Sequence, residues 1–285
     1  MSKKFNISKL KKYISFLIKN AISNFYYSNK FIYQRLLRSF YQKRSKKLIA
    51  KLHPELYLII NNILEKMNVK EYHENTFWSD AWFLLNMYLK KQPNKFLELG
   101  SGVSTLALAY AANLIFKKNG SVGKIISIDE NASYLSNIVE ANLPNYLNKF
   151  VELIHSKVEV FTHLGKIGIN YKNIPYQSFD MIYIDGPQFR PNVYADSKFQ
   201  TDEEHLKNLN QKPFDGDLLK IIHCQSKDCI VIIDQRISTV WTLQSILYKL
   251  IKNKKYSFLS TKTVFSFNSK IEQVTKDSYL TIPKV

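Results

Sequence analysis

The sequence predicts an α/β fold with a doubly wound parallel sheet, preceded by a basic helical extension, and three observations lead there. First, the apolar run Lys95-Phe96-Leu97-Glu98-Leu99 breaks at Gly100-Ser101-Gly102 and gives way to a helical pattern from Leu106 to Phe116. A buried strand turns tightly into a helix beneath a ligand in this way. Second, three later apolar runs end at Asp129, Asp185 and Asp234. They read as interior strands of a parallel sheet, whose ligands sit beyond the carboxyl ends. Third, the +18 formal charge of the 285 residues is uneven: residues 1 to 51 hold 14 Lys or Arg and no acid, while the remainder holds 27 basic against 23 acidic side chains.

Residues 1–74 form the extension and residues 75–285 the domain that follows. Leu10, Tyr13, Ile14, Leu17, Ala21 and Phe25 share one helical face, with Ser8, Lys11, Lys12, Ser15, Lys19 and Ser23 opposite. The apolar run Tyr13 to Ile18 is too short for a secretory core or a bilayer span, which predicts a cytoplasmic chain with neither export nor a transmembrane anchor. A second helical stretch holds Phe31, Ile32, Leu36, Leu37, Phe40 and Tyr41, and a third, from Pro54 to Met67, holds Leu56, Ile59, Ile60, Ile63 and Leu64. Residues 1–50 could lie on an anionic membrane surface, serve as a nucleic-acid arm, or cap the following domain. Over residues 1–51 Lys outnumbers Arg by 11 to 3 and the aromatics follow a helix rather than a strand platform, which ranks the membrane, as a peripheral site, above RNA.

Cys224 and Cys229 have only His223 nearby, too few ligands for a zinc knuckle, and read as packing or surface thiols in a reducing compartment. Only 5 of the 41 basic residues are Arg, a compositional bias that tempers any argument from lysine alone.

Within the domain, Phe77-Trp78-Ser79-Asp80-Ala81-Trp82 opens a helix that ends before Pro93. Trp78 and Trp82 share a face, for core packing or for a lid over an acceptor. At the glycine turn, the free N–H groups near Val103 to Thr105 offer a site for a carboxylate or phosphate. A dinucleotide fingerprint would want glycine or alanine where Thr105 stands. Glu98 would also repel a pyrophosphate and welcome an ammonium. A second strand ends in Asp129-Glu130-Asn131 before a helix from Ala132 to Leu143, and a third runs from Val151 to Ile154. Phe179 to Ile184 and Cys229 to Ile233 give the fourth and fifth, separated by a long polar insertion from Gln188 to Asp228. A helix from Thr239 to Ile251 and an antiparallel pair, Tyr256 to Thr261 and Thr263 to Asn268, close the pattern.

Glu98-Leu99-Gly100-Ser101-Gly102 with Ser104-Thr105 resembles the first motif of the class I S-adenosyl-L-methionine-dependent methyltransferases, and the later landmarks follow at suitable spacing over about residues 75 to 270. The resemblance implies a Rossmann-like, seven-stranded sheet with an antiparallel terminal strand. It implies methyl transfer from S-adenosyl-L-methionine to an acceptor, most readily a hydroxyl of a small molecule or carbohydrate. Glu98, Gly100, Ser101, Gly102, Ser104 and Thr105 would then meet the aminoacyl half of the donor. Asp129, with Glu130 as fallback, would meet the ribose, with Ser156 beside the adenine and Asp185 at the pocket edge.

The acids at the fourth and fifth strand ends resemble those of catechol-type and sugar O-methyltransferases. That likeness implies Asp185, Asp234 and Gln235 as ligands of a divalent cation such as Mg2+, or as groups serving substrate hydroxyls directly. The general base expected three residues after Asp185 is Gln188, whose amide cannot take a proton at neutral pH. Asp185 or a loop residue such as His205 is left for that role. Arg190 and Arg236 follow the two acidic tips in a chain that defaults to lysine, which suggests a planar fork bracing those acids or holding an anionic acceptor. Two further readings stay open: an RNA methyltransferase using the basic arm, although Asp-Gly-Pro replaces the Asn/Asp-Pro-Pro-Tyr tetrad of base-nitrogen chemistry, and a non-catalytic binding protein that keeps the fold.

Overall fold

The computed structural model describes residues 40–68, 71–187, 213–234, 236–247, 251–256 and 262–267. The face from Leu10 to Phe25 lies outside these residues, as do Gln188, Arg190, His205 and Gln235.

Three helices come first: α1 over residues 40–52, α2 Pro54–Lys66 and α3 Glu71–Lys91. β1 Lys95–Leu99, α4 Val103–Asn119 and β2 Lys124–Asp129 follow. The predicted helix after Asp129 is α5 Ala132–Tyr134 continued by a π turn, Leu135–Val139, and a 3-10 turn, Glu140–Asn142. Then come α6 Asn145–Asn148, β3 Val151–His155, β4 Val158–His163, β5 Lys166–Tyr171, β6 Met181–Ile184 and β7 Phe214–Asp215. α7 Asp217–Ile221, β8 Cys229–Asp234, α8 Ile237–Ile246, β9 Ile251–Tyr256 and β10 Lys262–Phe267 complete the described chain.

The central sheet has seven strands in the order β3-β2-β1-β6-β8-β10-β9. β3, β2, β1, β6 and β8 are parallel neighbours, and β10 runs antiparallel between β8 and β9. This is the Rossmann-like α/β sheet expected from the sequence. All of β6 and nearly all of β1, β2 and β8 are buried, which is why those strands read as unbroken apolar runs. The closing pair starts five residues earlier than the sequence suggests, because α8 stops at Ile246 rather than Ile251. β9 reads Ile-Lys-Asn-Lys-Lys-Tyr, a charged edge strand that shows no apolar alternation.

A second, three-stranded sheet, β4-β5-β7, has no counterpart in the sequence reading. Its β4–β5 hairpin turns through Leu164 and Gly165, both at positive φ, 50° and 72°.

Two apolar cores cover the two faces of the large sheet. One gathers Ile49 of α1, Leu56, Ile60 and Ile63 of α2, Trp78 and Leu84 of α3 and the long side of α4. The other lies under α7 and α8. Trp78 is fully buried and stacked on Tyr57, ring centroids 5.1 Å apart, so its place is in the core. The division drawn at residue 74 falls inside α3. No helix among the described residues is long and apolar enough to cross a membrane.

Candidate active site

β1 leaves the sheet at Gly100, whose φ of +95° is a left-handed conformation that side chains rarely adopt. The chain after β6 crosses directly over it. Asp185 and Gly186 donate their N–H groups to the Leu99 carbonyl at 2.8 and 2.7 Å. A Cβ on Gly100 would lie 2.6 Å from the Gly186 nitrogen, so the two glycines let two strand ends touch.

Beneath the turn sits a buried hydroxyl network centred on Glu98. Thr105 and Ser127 both donate to Glu98 Oε2 at 2.6 Å, Gly102 N donates to Thr105 Oγ1 at 2.9 Å, and the Ser101 and Ser127 hydroxyls are 2.7 Å apart. Burial pushes the Glu98 carboxyl up to about 7 although these hydroxyls pull it down, and Asp129 adds to the rise. Glu98 was expected to meet an ammonium, yet it is fully buried and outside the cavity lining, as is Thr105. Both brace the turn from below: Glu98 Oε2 takes the two hydroxyls, while its Oε1 is buried with no hydrogen-bond partner among the described residues.

Asp129 ends β2 at the cavity wall. Its Oδ2 accepts from Ser101 N at 3.1 Å and its Oδ1 from Asn131 N at 2.8 Å, so backbone groups on both sides fix the carboxylate plane. Glu130 accepts from the Tyr171 hydroxyl at 3.0 Å. Asn131 caps the following helix through Tyr134 N at 2.9 Å. Ser156, expected near an adenine, is instead fully buried and accepts from Asn173 N at 2.8 Å, which places it behind the wall as a fastener of the β3–β4 region.

Around these residues lies a cavity of about 280 Å³, small for a ligand cleft. The turn Gly100-Ser101-Gly102, the start of α4 at Val103 and Ser104, Asp129 to Asn131, Tyr134, Met67, Phe77, Asp80, Tyr183, Asp185 and Gly186 form its wall. Among the described residues its lining holds four ionisable carboxyls, Asp80, Asp129, Glu130 and Asp185, and no Lys, Arg or His. Asp80, Tyr183, Phe77, Met67 and Tyr134 were not assigned site roles individually from the sequence. An acid within the apolar segment Phe77 to Leu85 was the available signal for Asp80.

The two acidic tips differ in environment. Burial pushes the Asp185 carboxyl well above its ordinary value, and the Asp234 charge adds to this against the pull of Arg236 and Lys262. Asp234 is buried and pairs with Lys262 at 2.9 Å, and the same ammonium reaches Asp80 at 2.7 Å. Burial lifts the Asp80 carboxyl to about 6 although Lys262 draws it down. This donor set does not fit the divalent ion that the catechol-type layout implies. Asp234, the expected ligand, faces an ammonium, and no group of three or more His, Cys, Asp or Glu among the described residues could hold a metal.

Arg236 does brace an acidic tip, through the main chain. Its Nη2 donates to the Asp185 carbonyl and its Nη1 to the Pro187 carbonyl at 2.8 Å, while Nη1 also pairs with Asp215 at 3.1 Å. Arg236 is absent from the cavity lining, so the expectation that it holds an anionic acceptor gives way to bracing. Asp215, a further partner the sequence did not reveal, is buried and also accepts from Thr239 at 2.8 Å.

No protein-family model matches the chain, and no curated protein does. Among solved structures it is similar to a methyltransferase from Geobacter sulfurreducens, at 13% identity over 79% of this chain and 97% of that one, TM-score 0.45. It is also similar to a Podospora anserina methyltransferase bound to S-adenosylhomocysteine, at 11% identity over 73% and 87% of the two chains, TM-score 0.42. A third is M. capricolum TrmK with the same cofactor product, at 20% identity over 66% and 68%, TM-score 0.33. Likenesses this distant carry no argument about chemistry, for which the residues of the cavity must speak.

Proposed function

We propose that the chain is a class I methyltransferase that moves a methyl group from S-adenosyl-L-methionine to an acceptor hydroxyl of a small molecule or carbohydrate. One observation carries this reading: a glycine turn and an oriented strand-end carboxylate open into a cavity lined, among the described residues, by four acids and no Lys, Arg or His. A pyrophosphate would bring negative charge against that wall. A donor with a sulfonium, an ammonium and a ribose diol suits it.

In this reading Asp129, with Glu130 beside it, takes the ribose hydroxyls. The backbone N–H groups of Val103 and Ser104, in the first turn of α4, take the aminoacyl carboxylate, since those of Ser101 and Gly102 are already given to Asp129 and Thr105. When bound, the donor supplies a methyl group on a sulfonium, already strongly electrophilic. The protein then needs to align an acceptor and keep water out. Phe77, Met67 and Tyr134 supply apolar cover. Asp80, Tyr183 and Asp185 supply the polar end where an acceptor is received. That end offers carboxyl and hydroxyl groups to a neutral acceptor.

Calorimetric titration tests the reading. Heat with S-adenosylhomocysteine and none with NAD+ is expected, and the reverse pattern would overturn it.

A further inference from the structure

Lys262 is fully buried, an unusual place for a lysine in a chain with so many at its surface. It stands on β10 directly opposite Asp234 on β8 in the antiparallel register. Its ammonium lies 2.9 Å from Asp234 Oδ1 and 2.7 Å from Asp80 Oδ1, joining the fifth strand end to helix α3. It lies 5.4 Å from the ring centre of Tyr183. The Tyr183 side chain borders the cavity, and its buried hydroxyl has no hydrogen-bond partner among the described residues. Burial works against the Lys262 charge, but Asp80 and Asp234 more than offset it and hold the ammonium above its ordinary range.

We infer that Lys262 is a built-in cation at the acceptor end of the cavity, standing where a divalent ion would sit in a metal-dependent site and holding Asp80 against the cavity wall. The inference rests on the methyl-transfer reading for the name of that end. Its cation component can be measured separately. A metal ion there would have to approach an ammonium already paired with Asp234, the acid it needs, and with neighbouring Asp80, and the repulsion falls on the ion rather than on the tethered side chain. Lys262 is thus a positioning residue that acts through Asp80 and Asp234. The orphaned Tyr183 hydroxyl beside it marks the side from which a hydroxyl or amine acceptor would be bound.

Mn2+ serves as the probe, with binding read from loss of its free-ion paramagnetic resonance signal. The full-length wild type is expected to bind no Mn2+ at this site. Lys262→Met, which leaves the acids and removes the ammonium, is expected to bind one Mn2+ per chain at least about tenfold more tightly than wild type, and Asp234→Asn in that background is expected to abolish the gain. Equal Mn2+ binding by wild type and K262M overturns the inference. If K262M folds only in the presence of Mn2+, that metal-dependent rescue supports it. If K262M folds under neither condition, wild type decides: Mn2+ bound by wild type and lost in Asp234→Asn overturns the inference, and no such binding upholds it. S-adenosylhomocysteine is titrated into the same samples. Failure there with the expected Mn2+ pattern removes the donor reading alone, whereas donor binding with Mn2+ bound by wild type removes only the built-in cation.

Discussion

Replacing Glu98 with Gln separates a scaffold acid from a ligand acid. The side chain is fully buried, and two hydroxyls donate to its Oε2 at 2.6 Å. Burial raises its carboxyl from 4.5 to about 7 in the folded chain. A group whose folded value lies above its unfolded one contributes stability that is whole below the unfolded value and is lost as pH rises through the folded one. For Glu98 the loss runs from pH 4.5 to about 7. At about 1.4 kcal/mol for each tenfold change in proton activity, it comes to roughly 3 kcal/mol. Gln keeps an acceptor for both hydroxyls and carries no charge. E98Q is therefore expected to match wild type near pH 4.5 and to exceed it by about 3 kcal/mol at pH 8. Urea unfolding followed by tryptophan fluorescence across that range measures the difference. Parallel stability curves would refute the argument, as would a Gln variant weaker at pH 8. Affinity for S-adenosylhomocysteine should change by no more than about threefold, whereas an acid touching the donor's ammonium would lose about tenfold or more on neutralisation.

Three further outcomes follow from the same geometry. Gly100→Ala meets the Gly186 nitrogen at 2.6 Å in a left-handed backbone, and should cost about 2 to 4 kcal/mol in urea unfolding as well as donor binding; a wild-type midpoint would contradict the close approach. Asp129→Asn swaps one oxygen acceptor for a donor facing either Ser101 N or Asn131 N. Calorimetry should show about 10- to 100-fold weaker S-adenosylhomocysteine binding, and unchanged affinity would remove Asp129 from the ribose site. Arg236→Lys loses the planar fork that joins Asp185, Pro187 and buried Asp215. A loss of about 2 to 4 kcal/mol is expected, and a neutral effect would mean the brace is redundant.

The parallel sheet and the glycine turn were legible because their signals are local: an apolar run, a break at Gly100, an acid at the strand end. Asp129 was found at the cavity wall for that reason. The setting of Glu98 was not legible, because sequence position places it beside the turn but does not say whether its side chain points up to a ligand or down to Ser127. Lys262 could not be seen at all. In a chain where lysine is the default base, one more on a strand carries no signal, and its importance comes from cross-strand register with Asp234 and from α3 folding back across the sheet. The β4–β5 hairpin escaped because Leu164 takes a left-handed turn position that usually belongs to Asn, Asp or Gly. Asp215 escaped because its partners, Arg236 and Thr239, are more than twenty residues away.

The Arg236 clamp also has a bearing on how such a site diversifies. One guanidinium ties Pro187 to Asp215, two residues far apart in sequence, and holds the Asp185 carbonyl as well. The Asp185 wall therefore owes its position to a side chain beyond the end of β8, so a change of sequence between those two anchors should leave that wall where it is.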